Sequence, residues 1–263
     1  MRTPAFASMR VVAWVVVVLV CAGCTAVVDP DLRLRDGGPA YAEDLPLSTF
    51  ATRVIIEPWN TATAALYIVL AFWWWRRLRG RPEFSPFLRL ALPILAIGGI
   101  GGTLYHATRA LHLWLVLDVV PIIVLILCAS IVLWRRLLGG WWWVAFAGAI
   151  ALLVALRGIT AAITALPANL SIMAGYVTCA AMLLIPLLAQ LGRTQWRGAG
   201  RVALALFCFA LAITCRTLDP YAGTWMGCGL HTVWHVGGLV AAHALISYFA
   251  DLAGPARSLD QNG

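Results

Sequence analysis

Three histidines in this 263-residue chain have the type and spacing of metal ligands: His106 in G-G-T-L-Y-H-A-T, and His231 with His235 in H-T-V-W-H. Neutral imidazole is a common zinc ligand. His231 and His235 are four apart, so on a helix both rings project from one face. A third imidazole from another helix completes a three-histidine set and leaves a fourth position open, as in a catalytic zinc site. Asp118 follows His106 after a short hairpin. It is the candidate to orient a metal-activated water and carry its proton. Two blander readings stand beside this one: Asp118 pairs with Arg109, or it caps a helix.

The elements that must position these residues are membrane helices. Hydrophobic residues make up 62% of the chain and charged residues 11%, a balance explained by apolar runs long enough to cross a bilayer. The expected fold class is all-α: a polytopic seven-helix bundle preceded by a signal or anchor segment. Apolar segments fall near residues 55–75, 87–105, 113–134, 141–156, 170–191, 202–217 and 230–250. The expected organisation is a signal peptide or anchor at 1–24, an extracytoplasmic segment at 25–53, the seven-helix domain at 54–250 and a cytoplasmic tail at 251–263. In the first segment Arg2 and Arg10 precede an apolar run ending in C-A-G-C. It reads as a lipoprotein signal acylated at Cys24, an ordinary signal peptide or an uncleaved anchor.

The net charge is +8, and every cation is arginine. The arginines flank apolar segments, so topology explains them and nucleic-acid binding is not expected. Arg76–Arg81, Arg135–Arg136 and Arg193, Arg197 and Arg201 occupy alternate loops. The positive-inside rule puts those loops in the cytoplasm, the mature N-terminus outside and the C-terminus inside. The intervening loops hold only Arg109, Arg157 and Arg216. The two W-W-W runs, 73–75 and 141–143, read as an aromatic belt at the inner interface. Cys215 and Cys228 flank one outer loop, and spacing leaves open whether they pair.

This topology puts His106, Asp118, His231 and His235 at one depth in the outer third of the bilayer. Glu57 and Asn60 open the first helix at that level, and Asp219 ends the sixth there. Ionisable groups at membrane depth default to a functional hypothesis. These last three are candidates to hold the metal-binding histidines in place or to bind calcium. Their bland alternatives are a helix start at Glu57-Pro58 and a cap at Asn60. His112 reads as a loop residue and His243 as a packed polar group.

E-P-W-N-T-A-T-A-A-L at the first helix, G-G-T-L-Y-H-A-T at the end of the second, L-D-V-V-P in the third and H-T-V-W-H in the seventh together resemble the alkaline ceramidases and the wider CREST superfamily of seven-helix membrane hydrolases. The resemblance covers residues 53–250. It implies Zn2+ held by His106, His231 and His235, with Asp118 on its water. The substrate it implies is a membrane lipid amide such as ceramide. The family's serine one turn before the first histidine is replaced here by Gly102, and the adjacent Thr103 is the candidate to help stabilise the oxyanion. The family also binds Ca2+ near the residue matching Glu57. Here only Glu43, Asp44 and Glu57 are analogues, and the acids between them are missing, so calcium is the weaker expectation. Two rival functions remain open: a lipid receptor or chaperone with a structural metal closed by Asp118, and a b-type cytochrome.

Overall fold

The computed structural model describes residues 41, 43, 53–163, 168–219 and 228–254. The expected signal segment, Asp44, most of the N-terminal polar segment and the end of the tail lie outside the described residues. Among the described residues the fold is all-helical, with no strand. Those residues form seven α-helices in order: α1 (Pro58–Leu78), α2 (Pro86–Thr108), α3 (His112–Leu138), α4 (Trp142–Ile163), α5 (Ala168–Arg193), α6 (Ala199–Leu218) and α7 (His231–Ala253). Five stretches are long and apolar enough to cross a membrane. Large side chains such as Val69, Leu90, Val154 and Phe207 are exposed on the helices, the exterior of an integral membrane protein rather than of a water-facing one.

One of those five stretches runs over 41 residues, His112–Leu152. As one straight helix it would reach about 60 Å, twice the hydrocarbon thickness. Gly139 resolves this by taking a left-handed φ of 56°, which ends α3 and lets α4 return against it. α1 is less apolar than those stretches because its first turns carry Asn60, Thr61 and Thr63 and its last turn Arg76 and Arg77. Those polar residues belong to the two ends of the bundle rather than to its middle.

Glycines on α2 set the closest packing. A Cβ at Gly101 would collide with the backbone of Leu117 and Asp118, and one at Gly99 would lie 2.9–3.0 Å from Ile68 and Tyr67. The run G-G-I-G-G (98–102) therefore brings α1 and α3 against α2 where apolar side chains would hold them apart. A core of Trp74, Leu88, Leu92, Leu133, Leu187 and Phe249 fills the half of the bundle away from the histidines. The first W-W-W run departs from a simple belt. Three successive helical residues fan around the axis, so Trp74 turns inward and donates to His243 Nδ1 at 3.3 Å, while Trp73 and Trp75 remain exposed. His243 accepts that bond but is itself exposed rather than packed, and His112 is the first residue of α3 rather than a loop residue. Cys215 and Cys228 are free thiols.

Candidate metal centre

The site is built at helix ends, where backbone groups need partners. α2 stops because Arg109 takes a left-handed φ of 47° and returns its N–H to Tyr105 O at 2.7 Å. The next two carbonyls, of His106 and Ala107, accept from Glu57 N and Ile56 N, each at 3.1 Å. This short pairing seats Glu57 beside His106. α1 then begins with Pro58, which has no N–H to satisfy. The amides of Trp59 and Asn60 donate to the two carboxylate oxygens of Glu43, at 2.7 and 3.0 Å, and Thr61 N donates to Glu57 O at 2.8 Å. Glu43 is thus a helix cap reaching back from the N-terminal segment, with its charge on the positive end of α1. Asp219 does the same for α7, accepting from His231 N at 2.7 Å.

These ends bring three imidazoles together. His106, His231 and His235 are all buried, and one ligand atom from each lies within 4.8 Å of the other two. Ring centroids are 4.9 Å apart for His106–His235, 5.1 Å for His106–His231 and 4.6 Å for His231–His235. Rings in such contact leave no slot for a macrocycle between two axial histidines, which argues against the cytochrome reading. Asp118 is not a member of that cluster, nor are Glu43, Glu57 or Asp219; among the described residues no second group of three or more such ligands forms.

The partners of the ring nitrogens test whether a metal fits. His106 Nδ1 lies 2.6 Å from Glu57 Oε2. A carboxylate only accepts, so Nδ1 carries the proton and Nε2 is left with its lone pair. His106 Nε2 is buried without a hydrogen-bond partner, an orphan that a cation satisfies. His235 Nδ1 lies 3.0 Å from Thr63 Oγ1, whose own proton has the carbonyls of Trp59 and Asn60 within reach. That hydroxyl oxygen therefore accepts from Nδ1, which again leaves Nε2 free. Holding the outer nitrogen to fix the inner one is the usual support of a metal-bound histidine. His231 differs: Arg216 donates to its Nδ1 at 3.1 Å. Its Nδ1 therefore accepts and its Nε2 carries the proton, so His231 joins a metal by giving up Arg216. His106 and His235 present free nitrogens with the usual support, and three imidazoles of this kind fit zinc.

Around the rings lies a buried charged network. Glu57 accepts from Asn60 Nδ2 at 2.9 Å and forms an ion pair with Arg109 Nη1 at 3.2 Å. Thr232 Oγ1 lies 3.1 Å from Asn60 Oδ1, tying α7 to α1. Tyr41 stacks on His231 with centroids 3.9 Å apart, and the Arg109 and Arg216 guanidinium groups lie against its ring at 5.3 and 5.7 Å. Burial pushes the Tyr41 phenol well above its usual range, against the opposing pull of both arginines, so it stays neutral at any physiological pH.

Asp118 lies apart from this network. Its carboxylate has no hydrogen-bond or ion-pair partner among the described residues. Neither bland reading holds: Arg109 pairs with Glu57, and α3 begins six residues earlier without a side-chain cap. Asp118 and His235 instead share the lining of a cavity of about 60 Å3, walled by Tyr67, Leu95, Pro121 and Trp234. That is room for a few waters beside the carboxylate. Gly102 is what admits Asp118: a Cβ there would lie 2.5 Å from Asp118 Oδ1. Thr103 is placed differently from its expected role, because its hydroxyl donates to Gly99 O at 2.6 Å and its proton is spent within α2.

Glu57 and Asn60 thus lie behind His106, and Asp219 reaches the site only through the α7 backbone. Tyr41, Thr63, Arg109 and Arg216 are site residues that the motifs did not single out. A signal for two of them was present: Arg109 and Arg216 are lone cations at the end of the bundle where the positive-inside pattern wants none. Comparison of the chain with protein-family models, with curated proteins and with solved structures gives no match.

Proposed function

We propose that the chain is an integral-membrane zinc-dependent hydrolase that cleaves a lipid amide, ceramide-like in its linkage, with seven crossings and its arginine-rich end in the cytoplasm. The observation that carries this reading is the orphaned Nε2 of His106, facing two further buried imidazoles while Glu57 holds its other nitrogen. His106, His231 and His235 hold the metal. Asp118 stays outside the ligand set, as an open rather than a closed site requires. When bound there, zinc supplies a Lewis acid for the scissile carbonyl and makes water acidic enough to lose a proton near neutral pH.

The remaining work falls to the chain. Asp118 accepts the proton of the attacking water and passes it to the leaving amine. The small cavity between Asp118 and His235 holds that water, and Gly102 leaves the carboxylate space to reach it. Glu57 keeps the Nδ1 proton on His106 and so fixes the ring's tautomer and direction. The apolar walls, Leu95, Pro121 and Leu125, suit an acyl chain entering from the bilayer.

Asp118→Asn tests the assignment. Asparagine keeps the shape but cannot take the proton. Turnover of a fluorescent ceramide analogue by the detergent-purified protein is expected to fall ~10²–10⁴-fold with zinc content unchanged. Normal turnover with normal zinc removes Asp118 from catalysis. Loss of zinc makes it a ligand and favours the structural-metal alternative.

A further inference from the structure

A second cavity lies at the opposite end of the bundle from the histidines. It encloses about 460 Å3 and is lined by Glu83, Arg136, Arg197, Arg201, Tyr248 and Asp251, among others. That volume is in the range of small-molecule sites, ~300–1,000 Å3. Its charges are not all spent on each other. Arg201 pairs with Asp251, and Arg136 Nη2 donates to Leu252 O at 2.8 Å. Arg197 has no side-chain hydrogen bond or ion pair among the described residues. The Tyr248 side chain is only 3% exposed, and its hydroxyl has no hydrogen-bond partner. A buried donor in that state is costly unless it gains a partner.

The loop that supplies Arg197 is built at a conformational cost. Gln195 and Trp196 take left-handed φ values of 50° and 61°, and Gly198 follows at 81°. Non-glycine residues rarely adopt this region, and such strain concentrates at binding sites. Bonds from Trp196 N to Leu191 O at 2.8 Å and from Arg197 N to Thr194 O at 3.1 Å close the turn. Gly198 also lets the Tyr248 ring approach, since a Cβ there would lie 2.9 Å from Cδ2. Trp141 and Trp196, 72% and 60% exposed, flank the same end, where indoles mark the headgroup level of a bilayer.

From the free Arg197 guanidinium, the unpaired Tyr248 hydroxyl and the strained turn that holds them at headgroup depth, we propose that this cavity binds the phosphate of an anionic phospholipid headgroup. Arg197 neutralises the phosphate and Tyr248 donates to one of its oxygens. This site is independent of the histidine centre.

The test uses the full chain in a non-ionic detergent and measures binding of short-chain phosphatidylglycerol, short-chain phosphatidylcholine and inorganic phosphate by intrinsic tryptophan fluorescence. Phosphatidylglycerol is expected to bind, with phosphatidylcholine much weaker. Arg197→Gln, which breaks no bond of the folded protein, is expected to weaken phosphatidylglycerol about tenfold, and Tyr248→Phe about fivefold. Arg79→Gln, an equal charge loss at the same end but outside the cavity, is expected to change nothing. Inorganic phosphate displacing the lipid at equal strength supports the phosphate site and makes its occupant soluble. The proposal is overturned if phosphatidylcholine binds as tightly as phosphatidylglycerol, or if Arg79→Gln weakens binding as much as Arg197→Gln.

Discussion

The two ends of this bundle use arginine in opposite ways. At the histidine end Arg109 is buried against Glu57 and Tyr105, and Arg216 lies among Tyr41, Tyr176, Trp234 and His231. At the other end Arg76, Arg77, Arg79 and Arg81 are exposed, and Arg136, Arg197 and Arg201 line an open cavity. The exposed cations cost little, because water and headgroups solvate them. A buried cation is tolerated only when acids and ring faces surround it, so it survives where it holds something in place. Two of the three lone arginines that break the arginine-rich loop pattern, Arg109 and Arg216, are thus the ones that hold the histidine site together.

The strongest challenge to this contrast concerns which end faces which side. In a cysteine-depleted protein, an impermeant maleimide applied to intact cells is expected to label Leu111→Cys at the histidine end and leave Arg81→Cys unlabelled. The reverse pattern would put the histidines on the cytoplasmic side and remove the charge argument for the orientation.

Next in size is the support of His106. Glu57→Gln keeps the shape of the side chain but removes the charge that Nδ1 and Arg109 face. Zinc affinity, measured by chelator competition, is expected to fall ~10–100-fold, the usual cost of losing such a partner. An unchanged affinity would mean that Glu57 serves only to neutralise Arg109.

The smallest effect is steric. Gly102→Ala places a methyl group against Asp118 Oδ1. Thermal unfolding is expected to register ~1–3 kcal/mol of overpacking. Because Asp118 must move, turnover should drop more than stability alone accounts for. The same change at Gly148, which has nothing within 4 Å of its Cβ position, is the matched control.

Much of the fold was legible because apolar length and arginine flanks are local properties. All seven apolar segments correspond to helices, with ends displaced by one to four residues except at α4, which runs seven residues further, to Ile163. The convergence of the three histidines was also legible, since the i,i+4 pair and the helix-end placement of His106 follow from period and topology. The identity of their supports was not. Glu43 caps α1 from 16 residues away, Thr63 backs His235 across 172 residues and Tyr41 covers His231 from the N-terminal segment. Such pairings are set by how helix ends dock, which no periodicity encodes. Thr103 shows the opposite failure: adjacency to Gly102 suggested a role that the hydroxyl's bond to Gly99 O removes. Gly102 itself reads as an absent serine in the motif, whereas in the fold it is the space Asp118 occupies.

The central claim is that three imidazoles hold one metal ion, and elemental analysis of the detergent-purified protein tests it most directly. The unaltered chain is expected to carry about one zinc per molecule, and His231→Ala/His235→Ala to carry almost none, while an unaltered helical spectrum shows that the variant has folded. Stoichiometric zinc persisting in the folded double variant, or none in the unaltered protein after growth and purification with zinc present, would contradict the account.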